Sequence, residues 1–211
     1  MKNKTKDNST RFTPKQMTIT AVFMAMTIIL SMSIFSIPVA GGHLYFVDAV
    51  ICTGAILLGD PVLAFIMGGF GSFLGDMIFY PAPMFVSLFT HGIQAAVIAL
   101  CASRLFKKGA FHENHPSSAL FAARLVGVLL GAVIMVIGYT LGRAYVYSTP
   151  EASIAKLPFE ILQAAFGVVV SLALCAPASS ISHELRGATA PRFSFGFKPI
   201  VPNNFVFDHR Y

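Results

Sequence analysis

Charged residues are scarce in this sequence of 211 residues. Asp, Glu, Lys and Arg together make up 11% of the chain, whereas 55% of its residues are hydrophobic. A soluble globular domain has about 25% charged residues, so this composition excludes an ordinary soluble protein. The sequence therefore predicts an integral membrane protein.

Several catalytic motifs are absent as well. The sequence has no G-x-x-x-x-G-K-[ST] pattern, so it does not hydrolyse ATP by a P-loop, and any ATP motor must be another subunit. It also has no H-E-x-x-H motif, no G-x-S-x-G motif and no paired aspartates on one face of a membrane helix. These absences predict that the protein is not an enzyme.

Cysteine is rare too. Cys52, Cys101 and Cys175 all fall in apolar segments, without a Cys-x-x-Cys pair or a histidine at ligand spacing. Such residues are typical core thiols. We therefore expect no structural disulfide, no metal site and no bound cofactor.

The apolar residues gather into six segments that predict an all-α bundle of six transmembrane helices. The second segment is short, because 13 residues cover only about 20 Å of a membrane core about 30 Å thick. It is therefore tilted, extended by its neighbours or partly re-entrant. We expect a polar N-terminal arm at 1–16, the helical bundle at 17–176 and a cytoplasmic tail at 177–211. The predicted spans are 17–37, 46–58, 62–80, 83–105, 120–147 and 158–176.

The basic residues predict the orientation of these spans. With both termini in the cytoplasm, all of the 15 Lys and Arg residues except Arg143 and Lys156 lie on the cytoplasmic side. This distribution follows the positive-inside rule. Topology therefore explains the net charge of +6 better than binding of nucleic acid does.

Polar residues recur near the predicted outer ends of five segments. Asp76 lies four residues before the end of its span, about 6 Å below the outer surface. An ionisable residue at membrane depth costs about 2.5 to 3.5 kcal/mol, so a functional or paired role is the default. These side chains predict a ligand pocket in the outer half of the membrane. The candidate pocket residues are Asp48, Asp76, Tyr80, His91, Gln94, Tyr139, Arg143, Glu160 and Gln163.

Three outer loops are candidates for a lid over this pocket. They cover residues 36–46, 80–83 and 145–159, and the sixth helix is expected to begin with Pro158 in its first turn. The candidate gating residues are His43, Tyr45 and Pro81.

Other interpretations of the polar layer stay open. Arg143 pairs with Glu160 or Asp76 if the layer is a structural network. In a membrane-embedded enzyme, His91 acts with Asp76 or Glu160 as acid and base. A purely structural or assembly role is the third alternative.

Small residues in the third span predict close helix packing, and the sequence before that span predicts a turn. Gly68, Gly71 and Gly75 line one face of the third span together with Ser72, so neighbouring helices can approach closely. Asp60, in LLGDP, is expected to cap the third helix after a turn.

Residues 41–100 resemble the substrate-binding (S) components of energy-coupling factor (ECF) transporters, in particular the riboflavin-type group. The resemblance depends on FVDAV at the second span, LLGDP at the turn, FLGD at the end of the third span, and the aromatic-proline loop before the fourth.

This resemblance implies an S-component-like bundle in a prokaryotic plasma membrane that binds a vitamin from outside. It implies a membrane coupling subunit and two ATPases as protein partners, and the surrounding membrane lipid as a further partner. In the family, an Ala-x-x-x-Ala motif on the first helix contacts the coupling subunit, which here corresponds to Ala21 and Ala25.

The charges of the outer layer suggest a class of vitamin. Acidic residues outnumber Arg143 and Lys156, and carboxylates accept hydrogen bonds from amino, hydroxyl and protonated ring groups. Aromatic side chains nearby offer faces for a planar ring. We therefore expect pyridoxine, hydroxymethylpyrimidine or riboflavin, whereas an acid such as pantothenate requires a free Arg143. The acidic residues are Asp48, Asp76, Glu151 and Glu160, and the aromatic residues are Phe79, Tyr80, Phe85, Phe89 and Tyr139.

Overall fold

The computed structural model describes residues 12, 14–32, 36–39, 42–109 and 117–187. The predicted N-terminal arm up to residue 11, the middle of the loop that follows the fourth helix, and the tail beyond residue 187 lie outside the described residues.

The described part of the chain is mostly helical, with one helix near each of the six predicted positions. In α3 the middle turn, Ile66–Phe70, is π-helical, and α5 ends in a π-helical turn, Arg143–Tyr147. The helices are α1 Pro14–Leu30, α2 Val47–Leu58, α3 Pro61–Phe79, α4 Met84–Gly109, α5 Ser117–Gly142 with Arg143–Tyr147, and α6 Pro150–Gly187.

Four of these helices are long and apolar enough to cross a membrane. They comprise α3 and the segments Met84–Ser103 of α4, Phe121–Tyr147 of α5 and Pro150–Cys175 of α6. The helices α1 and α2 are apolar but shorter. By length and composition, therefore, the described residues give four candidate spans and two further apolar helices.

The first outer loop contains a short two-stranded sheet that the sequence analysis did not predict. Residues Ile37–Val39 form strand β1, which pairs antiparallel with β2, Gly42–Leu44. Ile37 and Val39 are β-branched, and Pro38 disfavours a helical conformation in the residue before it. The predicted first span, 17–37, is too long at its outer end because α1 stops at Leu30.

The sixth helix begins earlier than predicted. Pro150 occupies the first helical turn, and the Thr149 hydroxyl accepts a hydrogen bond from the backbone N–H of Ala152 at 3.3 Å. Threonine before Pro is a favourable start for a helix. Pro158 therefore lies inside α6, and the predicted lid at 145–159 is wrong, because α5 continues to Tyr147 and only two residues connect the helices.

The short helix α2 is enclosed by the rest of the bundle. All of its residues except Leu57 are buried, and it packs against α1, α4 and α6. Its central Ile51 contributes to a core with Met67 of α3 and Ile98 of α4. Since neighbouring helices cover its backbone and side chains, α2 does not need the length of a lipid-facing span.

The turn and glycine predictions for α3 are confirmed. Asp60 Oδ1 accepts hydrogen bonds from the backbone N–H groups of Val62 at 2.9 Å and Leu63 at 3.0 Å. A Cβ atom placed on Gly68 would lie 2.9 Å from the Ala95 Cβ, and one on Gly75 would lie 2.6 Å from the Ser31 Cβ. Glycine at these two positions therefore allows α3 to approach α4 and the end of α1.

Candidate functional site

A cavity of about 330 Å³ lies at one end of the bundle. Its walls come from the second halves of α3 and α5, the first halves of α4 and α6, the start of α2, the end of α1, and β2 with the residues that follow it. Pockets for small ligands measure about 300 to 1,000 Å³, so this cavity is large enough for one small molecule.

Most of the predicted pocket residues line this cavity. Two predicted gating residues, His43 and Tyr45, line it as well. The predicted pocket residues in its wall are Asp76, Tyr80, His91, Tyr139, Arg143, Glu160 and Gln163.

Several expected residues lie elsewhere. Asp48 and Gln94 are buried behind the cavity wall, each 1% exposed, and are bonded to each other. Pro81 is exposed beyond the rim, and Pro83 lines the cavity in its place. Phe85 and Phe89 are 57% and 58% exposed on the outside of the bundle, so they do not offer ring faces to the cavity as expected.

A hydrogen-bonded chain joins α3, α4 and α5 in the cavity wall. The Ser87 hydroxyl donates to Asp76 Oδ2 and lies 2.6 Å from the Tyr139 hydroxyl. Because the Ser87 hydrogen is committed to the carboxylate, the Tyr139 hydroxyl donates to Ser87 Oγ. Next to this chain, the His91 ring centroid lies 5.2 Å from that of Tyr139. This wall presents hydrogen-bonding groups beside an aromatic surface.

An ion pair between α5 and α6 also lies in the cavity wall. Arg143 Nη2 lies 3.1 Å from Glu160 Oε1, and both side chains are buried. The Thr140 hydroxyl is 3.3 Å from the other Glu160 oxygen. Of the two pairings considered for Arg143, the structure shows the one with Glu160.

The acid and base proposed for an enzyme are not paired. Among the described residues, His91 Nδ1 is hydrogen-bonded to Gln94, and the Asp76 and Glu160 carboxylates are bonded to Ser87 and Arg143 respectively. General acid–base catalysis requires a base within hydrogen-bonding reach of the proton it removes. The geometry therefore gives no support to a catalytic pair of His91 with Asp76 or Glu160; the carboxylate near His91 Nδ1 is that of Asp48, at 3.9 Å.

Lys156 is a cavity residue that the sequence analysis missed. Its side chain is 7% exposed, and within the described residues no hydrogen bond or ion pair engages it. It was assigned to a loop because α6 was expected to begin at residue 158. The helix start at Thr149-Pro150 could have revealed it, since Lys156, Glu160 and Gln163 are then spaced i, i+4 and i+7 on one face.

The charges around the cavity are balanced, so the expected acidic excess is wrong for the cavity itself. Asp76 and Glu160 face Arg143 and Lys156, whereas Asp48 lies behind the wall and Glu151 is exposed to solvent. The cavity therefore offers both hydrogen-bond acceptors and donors.

Tyr45 lies at the rim, between β2 and α2, and is partly buried. Burial raises the pKa of Tyr45, and the Asp76 carboxylate raises it further. The phenol therefore stays neutral and retains a hydroxyl hydrogen for a hydrogen bond.

Ala21 and Ala25 are both exposed on α1, opposite the buried Thr20 and Thr27. The two alanines lie four residues apart and so share one helix face. They form a small, smooth surface on the outside of the bundle.

Known proteins resemble this chain in sequence and in fold. Residues 11–179 match the family described as "ECF-type riboflavin transporter, S component". A protein of Pyrococcus woesei, described as "Uncharacterized protein in gap 3'region", is 30% identical over 146 residues, which is 69% of this chain and 88% of that protein.

A solved structure titled "Structure and mechanism of the S component of a bacterial ECF transporter" matches with a TM-score of 0.52 and 17% identity. The match covers 82% of this chain and 98% of that chain, and it supports the fold. With the family match over most of the sequence, the chain belongs to the S components of ECF-type riboflavin transporters, a family of membrane transport proteins.

Proposed function

We propose that this protein captures a B-group vitamin or a related aromatic heterocycle from outside the cell, as the substrate-binding subunit of an ECF-type importer. The observation that carries the proposal is the cavity, in which charged, polar and aromatic side chains from most of the bundle surround one small space. By the positive-inside distribution, this end of the bundle faces the outside of a prokaryotic plasma membrane.

The cavity supports an aromatic heterocycle as its ligand. Phe79, Tyr80 and Tyr139 provide ring faces or edges for a planar molecule. The balance of two carboxylates and two cations favours a ligand with no net charge and with both donors and acceptors. Riboflavin, named in the description of the matching family, meets these requirements, as do pyridoxine and hydroxymethylpyrimidine.

Energy for uptake comes from partner subunits in this proposal. The chain has no P-loop, so ATP binding falls to two ATPases attached through a membrane coupling subunit. The exposed face of Ala21 and Ala25 on α1 is the proposed contact for the coupling subunit. Small residues allow close contact between membrane helices.

Ligand binding can be tested on the purified protein. We expect riboflavin, pyridoxine or hydroxymethylpyrimidine to raise its melting temperature, because a ligand at 100 times its Kd stabilises the folded state by about 2.7 kcal/mol. Asp76→Asn should weaken binding by about tenfold to a hundredfold, since a hydrogen bond to a charged group contributes about 1.5 to 3 kcal/mol. Thermal unfolding and isothermal titration measure the two effects.

A matched control is Asp60→Asn, which makes the same chemical change at the cap of α3, where asparagine also caps well. It should bind the ligand as the unsubstituted protein does. The proposal would be contradicted if no vitamin raised the melting temperature and if mass spectrometry found no small molecule released from the denatured native protein.

A further inference from the structure

A hydrogen-bonded network behind the cavity is centred on the Asp48 carboxylate. Asp48 lies in the first turn of α2 and is 1% exposed. Its Oδ1 accepts a hydrogen bond from Gln94 Nε2 at 3.0 Å, and its Oδ2 accepts one from Gln163 Nε2 at 2.6 Å. One buried carboxylate therefore holds a side-chain amide from α4 and another from α6.

Close packing makes this arrangement possible. A Cβ atom on Gly167 would lie 2.8 Å from the Asp48 Cβ, so only glycine lets α6 approach α2 at this height. Gly167 is one helical turn after Gln163. The Gln163 side chain therefore reaches Asp48 directly.

The two neighbours of Gln163 require the same orientation of its amide. Its Oε1 accepts a hydrogen bond from the backbone N–H of Tyr45 at 3.0 Å. A backbone N–H only donates, so the carbonyl end of Gln163 faces Tyr45 and its NH₂ end faces Asp48. The connection fixes the position of the loop that carries Tyr45, at the rim of the cavity.

The amide of Gln94 is oriented by the same logic. If its oxygen faced Asp48, two acceptors would oppose each other, so its NH₂ group faces the carboxylate and its Oε1 faces His91 Nδ1 at 2.7 Å. An amide oxygen only accepts, and the hydrogen of this bond is therefore on Nδ1. In a neutral imidazole the other ring nitrogen, Nε2, is then an acceptor.

The Nε2 atom of His91 is open to the cavity. His91 lines the cavity wall, and Nε2 makes no hydrogen bond to any other described residue. Nε2 is not fully buried either, because it is not one of the buried side-chain polar atoms that lack a hydrogen-bond partner. The lone pair on Nε2 is therefore available to a bound molecule.

We infer that Asp48 is a positioning residue that holds His91 as the Nδ1–H tautomer through Gln94 and holds Tyr45 at the cavity rim through Gln163. His91 then selects a ligand that donates a hydrogen bond from a hydroxyl, an amino group or a ring N–H. This last step rests on the proposed function, whereas the arrangement of hydrogens in the protein does not.

Nitrogen NMR tests the tautomer without any ligand. The chain has six histidines, and protein labelled with ¹⁵N-histidine gives each ring a distinct pattern of long-range ¹H–¹⁵N correlations. The His91 pattern is identified by its loss in His91→Gln. At about pH 8 we expect a single ring hydrogen, on Nδ1. A hydrogen on Nε2, or on both nitrogens, would overturn the inference.

Two variants test the role of Asp48. In Asp48→Asn one of the two oxygen positions becomes an NH₂ group, so one glutamine NH₂ group faces another donor instead of an acceptor. We expect His91 to shift toward the Nε2–H tautomer, or the Tyr45 amide to exchange with solvent about tenfold faster, as loss of one hydrogen bond implies. Gln94→Met should weaken the preference of His91 for the Nδ1–H tautomer, since only the Asp48 carboxylate, 3.9 Å from Nδ1, still favours it. Exchange of the Tyr45 amide should stay unchanged.

Asp60→Asn is again the matched control, and it should change neither measurement. If Asp48→Asn left both the His91 tautomer and the Tyr45 exchange rate unchanged, the positioning role of Asp48 would be refuted. If Asp48→Asn failed to fold, the spectra of the unsubstituted protein and of Gln94→Met would still decide which tautomer His91 adopts and whether Gln94 holds it. Because neither readout needs a ligand, a failure of the proposed function would leave these results intact.

Discussion

Arg143 and Glu160 lie in contact in the cavity wall, and they are only 7% and 2% exposed. Removing one partner of a buried ion pair costs about 3 to 5 kcal/mol, because the other charge is left without compensation, whereas replacing both costs much less. We expect Arg143→Met to lower the free energy of unfolding by this amount. Thermal unfolding in detergent measures the effect.

The double variant Arg143→Met with Glu160→Leu should recover most of the stability lost in Arg143→Met. Lys15→Met, which removes a cation from an exposed position on α1, should have little effect. A double variant as unstable as the single one would show that the loss does not come from an uncompensated charge.

At the scale of single residues, position near the outer end of a helix predicted much of the cavity. His91 lines the cavity as expected, and α4 begins within one residue of its predicted start. Position along the helix did not reveal that Gln94 lies behind the wall, since depth within a bundle depends on the neighbouring helices. It missed Lys156 because the start of α6 was misplaced.

At the scale of helices, two glycines of the α2–α3 region are required for different reasons. Gly59 ends α2 with φ of 59°, a left-handed conformation that costs other residues about 1 to 2 kcal/mol. Gly68 lies in the π-helical turn and is not left-handed, but a Cβ there would lie 2.9 Å from the backbone oxygen of His91. Overpacking of this kind costs about 1 to 3 kcal/mol.

We therefore expect Gly59→Ala and Gly68→Ala both to be destabilising, as measured by thermal unfolding. The two positions should differ in whether asparagine is tolerated better than alanine. Asparagine adopts the left-handed conformation readily, so Gly59→Asn should be more stable than Gly59→Ala, whereas Gly68→Asn should be worse than Gly68→Ala. Equal behaviour of asparagine at the two positions would contradict this distinction.

The helix boundaries were predictable where turn chemistry is unambiguous. LLGDP fixed the end of α2 and the start of α3, because Asp60 caps the helix and Gly59 turns the chain. The boundaries failed where hydropathy alone was used. The apolar run that begins in α1 continues into the residues of β1, since a strand and a helix can be equally hydrophobic.

At the scale of the whole molecule, the exposed face of Ala21 and Ala25 makes a prediction about assembly. If this face contacts the coupling subunit, Ala21→Leu with Ala25→Leu should prevent co-purification with the partner subunits and leave ligand-dependent stabilisation unchanged. The bulky side chains would hold the two membrane helices apart. Affinity purification followed by gel analysis measures the assembly.

A matched control is Ala122→Leu with Ala165→Leu, since these alanines are also exposed but lie on α5 and α6. It should leave the assembly intact. Loss of assembly in both double variants would show a general effect on membrane packing instead of a specific contact.

The sequence by itself determined the membrane character of the protein, the approximate positions of its helices and the concentration of polar residues at one end. These follow from local properties: composition, apolar length, helical spacing and the distribution of Lys and Arg along the chain. Only the tertiary structure decided that Arg143 pairs with Glu160, that Lys156 faces the cavity and that Asp48 lies behind it. Such pairings depend on how the described helices pack around one another, and that packing joins residues more than 100 positions apart, as in the bond between Asp48 and Gln163.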